Sequence, residues 1–444
     1  MNSLIQEVRT QQNIFAAWRH VKRSALSSSN EQIRGAASEF EHAHQRHLQR
    51  IITQLRDGRF KFDPVTGVLK DAKKRIAANK NPRPIAIATL KNRVVQRAIL
   101  QVLQPRSIID PKEPQSKYET SSDKRLGKIN DVNKSPYGVG GLIYPYGGVQ
   151  PAIKTIRNAI DGGAKYYYQS DIKEFFTKIP TSIIVEFVRT ETKDNDLTDL
   201  FADGLAVELN NKDELKQYAD LFPSGGIGVA QGSSLSAFAG NVLLYELDHE
   251  LNNMGVTAVR YIDDILMVSS EDEKLNAAML RAEEKLTSFG FGLYSPASGS
   301  DKAARGECKN GINFLGCTIQ PKRCVPSKAS IDRLKEDVNK SISESKSAIK
   351  LFLSGKKELN PRLSRTATLD SIAKKIYGWQ KAFSFCTDEN PFRSLDEATS
   401  RLVLDYGEIV DRMIAKQNPT TKMKVIGIPS THDMFLAGQR RPKA

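Results

Sequence analysis

Two adjacent acidic residues, Asp263 and Asp264, stand between two apolar, β-rich runs in the segment from Val259 to Val268. Such runs around a two-residue turn predict a β-hairpin with both carboxylates at its turn. Neighbouring carboxylates repel each other, and a bound divalent cation removes that conflict, because Mg²⁺ prefers carboxylate oxygens and substrate phosphates. A solvated acidic turn is an equal alternative for this pair alone, so the interpretation depends on the rest of the chain.

A third aspartate, Asp171, follows an aromatic run, Tyr166 to Tyr168, that predicts a strand leading into a turn and a helix. Asp171 and Asp263 are far apart along the chain, so only the fold can bring them together. A strand-end aspartate beside a hairpin with two more is the arrangement that two-metal phosphoryl transfer requires. One ion activates a 3′-hydroxyl and the other stabilises the leaving pyrophosphate. This chemistry predicts two Mg²⁺ ions as cofactors, with Mn²⁺ as the alternative.

The segment 230–236 contains Gln231-Gly232 and opens a strongly apolar helix that runs to about residue 251. In this order, the three segments resemble the palm motifs of reverse transcriptases: the Asp-x-x-x-x-Phe, Gln-Gly and Tyr-x-Asp-Asp blocks. The resemblance extends over most of the chain and points to the bacterial, group II intron-like branch. Further segments that resemble this branch are 16–22 and 55–60 (N-terminal helices), 83–96 (fingers motif), 135–138 (Ser-x-Gly block), 313–316 (primer grip) and 378–379 (thumb motif).

The resemblance assigns roles residue by residue. The residues that it implies for catalysis and metal binding are Asp171, Asp263 and Asp264, with the carbonyl of Ile172 as a further metal ligand. Phe176 corresponds to the steric gate, whose ring leaves no room for a 2′-hydroxyl, so the implied product is DNA. The other residues implied to bind the nucleotide are Arg83, Lys80, Gln231, Gly232 and Tyr261, and those implied to form the primer grip are Phe314, Leu315 and Gly316.

Several of these roles have plainer alternatives. Phe176 could be an ordinary core residue, Gln231-Gly232 an ordinary helix start, and Arg83 one more solvated base. The chain also departs from the family pattern. Ala88 stands where relatives usually have proline, and the segment 295–302 lacks the family's Pro-x-Lys-Thr stretch, so Lys302 is a weak candidate for the general acid.

The charge of the chain favours a polyanionic partner. Its 444 residues include 66 Lys and Arg against 51 Asp and Glu, a net charge of +15, which indicates nucleic acid before a membrane surface. The stretch 70–97 contains nine basic residues, and Asp71 is its one acidic residue. Because a solvated face usually mixes signs, this stretch predicts phosphate contacts. The residues predicted to bind RNA are Lys73, Lys74, Arg75 and Arg93.

Composition also bears on location. The polar N-terminal residues 1–12 do not resemble a signal peptide, and no apolar run approaches the roughly 18 residues of a membrane span. The four cysteines (Cys308, Cys317, Cys324, Cys386) form neither a CxxC pair nor a dense framework. We therefore expect a reducing bacterial cytoplasm, no membrane partner and no structural zinc site.

The resemblance implies an α+β fold of the right-hand polymerase type, with fingers, a palm of antiparallel sheet plus helices, and a helical thumb. The predicted domains are 1–106 (N-terminal helices and fingers), 107–136 (a polar loop or insertion), 137–326 (fingers and palm catalytic core) and 327–444 (a helical, basic thumb and tail). Within the core, the acidic segment 189–222 is expected to form a helical insertion.

The implied function is an RNA-directed DNA polymerase that makes cDNA from dNTPs. Neither an RNase H-like nor an HNH pattern follows the predicted thumb, and the Val-Thr-Gly block of retron enzymes is missing. What remains is most similar to the stand-alone bacterial reverse transcriptases of antiphage defence, which use a dedicated structured noncoding RNA. The alternatives are a maturase-like RNA-binding protein of an intron and a template-independent or protein-primed DNA polymerase. The sequence leaves the template, the priming mode and the oligomeric state open.

Overall fold

A computed structural model describes residues 3–28, 30–113, 117–298 and 302–439. The chain divides into two compact units, Met1–Cys308 and Lys309–Ala444. The predicted boundary between core and thumb, at 326/327, falls inside the second unit. The four-part domain division itself stays a prediction.

The first unit is a mixed structure of fourteen helices and eight strands among its described residues. Its helices are α1 (Leu4–Val8), α2 (Gln11–Leu26), α3 (Glu31–His42), α4 (His44–Arg56), α5 (Ala72–Ala77), α6 (Leu90–Leu103), α7 (Ile129–Asn133), α8 (Val149–Asp161), α9 (Phe175–Lys178), α10 (Thr181–Thr192), α11 (Asn195–Leu205), α12 (Lys212–Leu215), α13 (Ser236–Asn253) and α14 (Asp272–Ser288). Its strands are β1 (Thr66–Lys70), β2 (Arg83–Ile87), β3 (Arg106–Ile108), β4 (Tyr118–Thr120), β5 (Tyr166–Asp171), β6 (Thr257–Tyr261), β7 (Asp264–Ser269) and β8 (Ala303–Glu307).

A four-stranded antiparallel sheet in the order β6-β7-β5-β8 forms the centre of this unit. Its strands are rich in aromatic and β-branched residues, which favour the pleated conformation. Helices α8, α13 and α14 pack against the sheet. Because helices and sheet bury a shared apolar core, the two central strands β5 and β7 are held in a fixed register. The predicted α+β class with an antiparallel sheet is confirmed.

A smaller hairpin of β1 and β2 flanks this sheet-and-helix core, with α5 in the connection between its strands. Its register pairs Lys70 with Arg83. A separate apolar cluster of Val65, Ala86, Leu215 and Phe222 supports the hairpin. The predicted basic stretch therefore folds as a hairpin carrying a short helix.

The second unit contains a three-stranded antiparallel sheet and five helices among its described residues. The strands, in the order β11-β10-β9, are β9 (Ile312–Phe314), β10 (Cys317–Gln320) and β11 (Arg323–Pro326). The helices are α15 (Lys328–Leu353), α16 (Arg365–Ala382), α17 (Asn390–Ile414), α18 (Pro419–Ile426) and α19 (Thr431–Gln439). The apolar residues predicted at helical spacing in α15 form a core with α16, α17 and α18.

The segment 107–136 differs from the polar loop that its composition predicts. It contains part of β3, all of β4 and helix α7, and Leu126, Ile129 and Val132 are buried in the main core. Few apolar anchors are enough here because Asn133 adds a buried hydrogen bond, its side-chain amide donating to the Leu103 carbonyl at 2.8 Å. The predicted N-terminal helices are present as α1 to α4, and the acidic segment 189–222 contains the end of α10 and all of α11 and α12. No helix among the described residues is long and apolar enough to cross a membrane.

Candidate active site

The hairpin that carries the two acids turns one residue earlier than its sequence predicts. Tyr261 ends β6 and pairs directly with Asp264, the first residue of β7, so the turn residues are Ile262 and Asp263. Ile262 adopts a positive φ of 63°, a conformation that a β-branched residue rarely takes. The prediction of both carboxylates at the turn is therefore wrong, because cross-strand pairing takes Asp264 into the strand.

This shift places Asp264 opposite Asp171 on the neighbouring strand. The two residues are direct partners in the β5–β7 ladder, so their side chains lie on the same face of the sheet. The backbone amide of Ile172 donates to the Asp263 carbonyl at 2.7 Å, which joins the strand end to the hairpin turn. The fold thus brings the three predicted aspartates and Ile172 to one edge of the sheet.

Burial penalises the charged form of two carboxylates at this edge, Asp263 and Asp264. Burial, reinforced by the charge of Asp171, raises the pKa of Asp264 to about 7. Burial also raises the pKa of Asp263, and the positive charges of Lys302 and Arg83 partly oppose this. The Asp171 carboxylate forms an ion pair with the Lys302 ammonium. A cation bound here would offset the cost of ionising these buried carboxyl groups.

These residues fit the divalent cations that the sequence predicts. The donor set consists of carboxylate and carbonyl oxygens, the ligands that Mg²⁺ and Mn²⁺ take. The Lys302 ammonium on Asp171 already marks one position where positive charge is stabilised. Asp171, Asp263, Asp264 and the Ile172 carbonyl are the groups that would hold the ions.

A cavity of about 320 Å³ opens beside the aspartates. The site residues predicted from the sequence that line it are Asp171, Ile172, Asp263, Phe176, Gln231, Arg83 and Arg75. Asn81, Tyr294 and Lys302 also contribute to the lining. A cavity lined by both carboxylates and guanidinium groups has the polarity that suits a metal-bound triphosphate.

Two lining residues are held by their local structure. Phe176 lies in α9, where its carbonyl accepts a hydrogen bond from the Val229 amide at 2.7 Å and its ring packs beside that of Phe175. Gln231 lies two residues after Val229 along the chain. Gly232 has a φ of 106°, and this left-handed conformation explains why glycine stands there. The segment containing Gln231-Gly232 is thereby fixed next to the Phe176 ring.

Arg75 lies in a different environment from the other predicted RNA-binding residues of α5. The sequence groups it with Lys73 and Lys74 as an RNA contact, yet it lines the cavity and is half-buried, whereas the two lysines are exposed. Its Nε donates to the Asn81 carbonyl at 2.7 Å, and this bond holds the side chain across the β1–β2 connection. Helical geometry separates it from its neighbours, because consecutive helix residues point in different directions.

The remaining predicted residues of the first unit lie outside the described cavity lining: Lys80, Gly232, Tyr261, Asp264, Lys73, Lys74 and Arg93. Lys80 is exposed and follows α5. Arg93 lies on α6, where its guanidinium donates to the Ser24 hydroxyl at 3.0 Å. Burial lowers the pKa of Arg93, and it lowers that of Arg97, one turn further, to about 10.

A buried polar network behind the hairpin has no counterpart in the sequence predictions. Arg260, on β6, forms an ion pair with Asp248 of α13 at 2.6 Å, and both side chains are almost fully buried. The same guanidinium donates to the Ile262 carbonyl at 2.9 Å and to the Asn241 side chain at 3.3 Å. The network therefore holds the turn that carries Asp263. The signal for this network in the sequence is an arginine inside an apolar strand, because a buried charge needs a partner.

The Ser-x-Gly block packs against the same network. The Val139 amide donates to the Arg260 carbonyl at 2.9 Å, and the Asn241 side chain donates to the Gly140 carbonyl at 2.7 Å. A Cβ at Gly140 would come within 2.5 Å of the Ile262 amide nitrogen. Only glycine allows this close approach of the two backbones.

The predicted primer grip lies in the second unit. Phe314 ends β9 and is buried, and Leu315 and Gly316 form the turn to β10 with φ angles of 48° and 80°. A Cβ at Gly316 would come within 2.8 Å of the Ser330 hydroxyl and 3.3 Å of the Phe383 ring. The turn is thus packed closely against α15 and the end of α16.

A model of the family described as reverse transcriptase (RNA-dependent DNA polymerase) matches residues 70–319, more than half of the chain. The chain is also similar to the group II intron-encoded protein LtrA of Lactococcus lactis subsp. cremoris, with 27% identity over 202 residues. A second LtrA sequence, from strain MG1363, gives the same values. The match covers 45% of this chain and 27% of the relative, so the chain spans well under half the length of these curated relatives.

Solved structures give weaker similarities. The partial Cas6-RT-Cas1–Cas2 complex matches with a TM-score of 0.35 and 19% identity, over 65% of this chain and 42% of that chain. Telomerase from Candida albicans, in complex with a TWJ fragment of telomeric RNA, matches with a TM-score of 0.37 and 14% identity, over 80% and 64%. Apo telomerase from Candida tropicalis matches with a TM-score of 0.41 and 12% identity, over 94% and 86%.

The segment that the family model matches contains all three aspartates, Phe176 and Gln231. The antiparallel sheet with packed helices is consistent with the right-hand polymerase fold. The chain belongs to the reverse transcriptase (RNA-dependent DNA polymerase) family.

Proposed function

We propose that this protein is an RNA-directed DNA polymerase that makes cDNA by two-metal phosphoryl transfer. One observation carries the proposal: the cavity lining combines Asp171 and Asp263 with Phe176, Gln231 and Arg83. These residues come from distant parts of the chain and match, in type and order, the groups that bind metal, sugar, base and triphosphate in the family.

The aspartates hold the reacting groups. When bound, two Mg²⁺ ions lower the pKa of the primer 3′-hydroxyl and neutralise the charge that develops on the pyrophosphate. Asp171, Asp263 and Asp264 orient those ions, and the Ile172 carbonyl adds a neutral oxygen ligand. An ion held by Asp171 would compete with the Lys302 ammonium for that carboxylate, and Lys302, which also lines the cavity, is the candidate for the general acid.

Two arginines from the small hairpin bind the triphosphate in this proposal. Arg83 and Arg75 enter the cavity from the side of β1 and β2, and each guanidinium offers a fork of donors to phosphate oxygens. Lys80, which is exposed on the same connection, can contribute charge at longer range. The hairpin thereby serves as the fingers element that closes on the nucleotide.

The template and its biological setting form the finer part of the proposal. The net charge of +15 and the exposed Lys73 and Lys74 favour an RNA phosphate backbone as partner. Following the family resemblance, we assign the protein to bacterial antiphage defence in the cytoplasm, with a dedicated structured noncoding RNA as template. The primer grip at Phe314, Leu315 and Gly316, and the four-part domain division, belong to the same proposal.

The decisive experiment isolates the protein from its native locus and sequences the nucleic acid that accompanies it. The preparation is then incubated with dNTPs and Mg²⁺, and with Mn²⁺ in parallel. Asp263→Ala is the inactive variant, and Asp396→Ala, which removes an exposed carboxylate in α17, is the matched control. We expect one discrete RNA and DNA complementary to it, made by the wild type and the control and absent with Asp263→Ala.

The alternatives give different products. DNA without an RNA complement, or DNA covalently linked to a tyrosine or serine, would indicate untemplated or protein-primed synthesis. Tightly bound RNA with no synthesis under any ionic condition would favour a maturase-like RNA-binding protein. Either result would contradict the proposal, the first in its template and the second in its chemistry.

A further inference from the structure

Three of the four cysteines converge in the second unit, although they are widely spaced in sequence. Cys317 begins β10, Cys324 lies in β11, and Cys386 follows the end of α16. Their sulfur atoms all lie within 4.8 Å of one another. The sequence predicts no zinc site because it contains no CxxC pair. The fold brings together thiols that sequence spacing keeps apart.

The strand register explains how the first two thiols meet. In the β10–β11 ladder, Cys324 pairs with Ile319, and Cys317 lies two residues before Ile319 on the same face. Residues in such a diagonal relation are close enough for their side chains to touch. Cys317 and Cys324 therefore face the same side of the sheet.

The third thiol is brought in by the chain that follows α16. The Thr387 amide donates to the Cys324 carbonyl at 2.8 Å, and the Cys324 amide donates to the Thr387 hydroxyl at 2.9 Å. Next to these residues, Arg323, which precedes Cys324, forms an ion pair with Asp388, which follows Thr387, at 2.9 Å. These contacts hold Cys386 beside the strand without any contribution from the thiols themselves.

The surroundings of the cluster suit a thiophilic ion. Cys317 and Cys324 are fully buried, while Cys386 is half-buried and gives solvent a path to the sulfurs. Hydrogen bonds with the other two thiols, together with burial, raise the pKa of Cys317 far above its usual range. A bound ion of charge +2 would supply the compensation that buried thiolates need.

We propose that Cys317, Cys324 and Cys386 bind one Zn²⁺ ion through three thiolates. Tetrahedral Zn²⁺ with sulfur at about 2.3 Å separates its ligand atoms by roughly 3.8 Å, which these sulfurs reach with small side-chain adjustments. Binding releases three thiol protons to solvent and involves no change of oxidation state. A water molecule on the side of Cys386 completes the coordination. Three thiolate ligands discriminate against Mg²⁺, the ion proposed for the polymerase site.

The position of the site gives it a structural role. Cys317 directly follows Leu315-Gly316, the turn that contacts Ser330 and Phe383. An ion held by Cys317 and Cys386 joins this turn to the chain after α16. It therefore restricts the turn relative to the helices of its own unit. This inference does not depend on the polymerase proposal.

The test is the metal content of the full-length protein, purified under reducing conditions without chelator from medium containing zinc. We expect about one zinc per chain in the wild type, as for a structural site. Separate Cys317→Ser, Cys324→Ser and Cys386→Ser variants should lose most of it. Cys308→Ser is the matched control, since Cys308 is buried in the first unit and should leave the zinc content unchanged.

Two measurements on the unmutated chain keep the test decisive if a serine variant fails to fold. Replacement of zinc by Co²⁺ should produce the thiolate-to-metal charge-transfer absorption of a sulfur-ligated, tetrahedral ion. Titration with an organomercurial should release the zinc as about three thiols react. Three results would overturn the inference. The wild type could contain no more zinc than Cys317→Ser, or the cobalt-treated protein could lack the charge-transfer absorption. The intact mass could also show a disulfide between these cysteines.

Discussion

Asp264 stands opposite Asp171 in the β-ladder, and burial beside that charge raises its pKa to about 7 from an ordinary value of 3.8. The folded state therefore binds a proton that the unfolded state has already released between these two pH values. Stability from this group is present at low pH and lost as pH rises towards 7. A divalent cation reverses the penalty, because it favours the charged carboxylate.

We expect the metal-free protein, kept in EDTA, to lose thermal stability as pH rises from about 4 to 7 because of this group. Asp264→Asn should flatten that part of the profile, and Mg²⁺ should restore the wild type at pH 7 and above while affecting the variant less. Thermal melts across a pH series, with and without Mg²⁺, measure this. An identical pH profile for wild type and Asp264→Asn would contradict the assignment.

Phe176 lines the cavity next to the Gln231 segment, where its ring can exclude a 2′-hydroxyl. We expect Phe176→Val to admit ribonucleotides and to reduce the preference for dNTPs by tenfold or more, on the order of what one shape contact contributes. Competition between dNTP and rNTP on a fixed template measures the ratio. Phe201→Leu is the control, since Phe201 is buried in the core of the same unit and does not line the cavity. If Phe176→Val discriminates between dNTP and rNTP as well as the wild type does, Phe176 is an ordinary core residue and not the steric gate.

At the scale of elements, the β6–β7 hairpin depends on the helix behind it. Arg260 reaches from β6 to Asp248 of α13 and to the Ile262 carbonyl in the turn. The turn contains a β-branched residue at positive φ, a conformation that persists only where the surroundings impose it. The hairpin and α13 therefore position Asp263 together.

Asp248→Asn should lower the free energy of unfolding by roughly 3–5 kcal/mol, because it leaves the Arg260 guanidinium buried without a counterion. The comparison is a partly exposed ion pair between α14 and α13, Arg281 with Glu250. Arg281→Met should lower the free energy of unfolding by under about 1 kcal/mol. Chemical denaturation measures both.

A double variant separates stability from positioning. Asp248→Leu with Arg260→Met replaces the ion pair by apolar side chains, which often restores stability. If the network positions the turn, this variant should fold and still polymerise slowly, because the Ile262 carbonyl has lost its donor. If a stable double variant keeps full polymerase activity, Arg260 contributes to packing and does not position the turn.

At the scale of the whole molecule, we propose that the excess of positive charge serves phosphate contacts. Lys73 and Lys74 are exposed on α5, and Arg93 lies near Arg97 on α6. The Nε of Arg97 is buried without a hydrogen-bond partner among the described groups. The RNA-binding proposal therefore makes a separate prediction for the basic side chains of each helix.

We expect Lys73→Ala with Lys74→Ala to reduce the slope of log K against log salt for RNA by roughly 0.7–0.9 per lost phosphate contact. Lys356→Ala with Lys357→Ala removes the same charge from an exposed segment after α15 and is the matched control. Binding titrations over a series of salt concentrations give both slopes. Equal slopes for the two double variants would move the RNA path away from α5.

The sequence by itself determined the chemical identity of the site, because the motifs are local. An aromatic run ending in Asp171, Gln231-Gly232 before an apolar helix, and acids between two β-rich runs each specify a short element and its functional side chain. Helical spacing likewise predicted the helices of both ends of the chain. Periodicity and turn residues act over a few neighbours, so these features are legible without the fold.

Only the tertiary structure decided which residues meet. Cross-strand pairing with β5 and β6 moved Asp264 from the turn into the strand, and closure of the small hairpin placed Arg75 in the cavity. The buried Arg260 pairs with Asp248, which lies on another element of the fold. Strand register and the chain after α16 bring three cysteines together that are far apart in sequence. These outcomes depend on long-range packing and on the cost of burying polar groups, which no local pattern records.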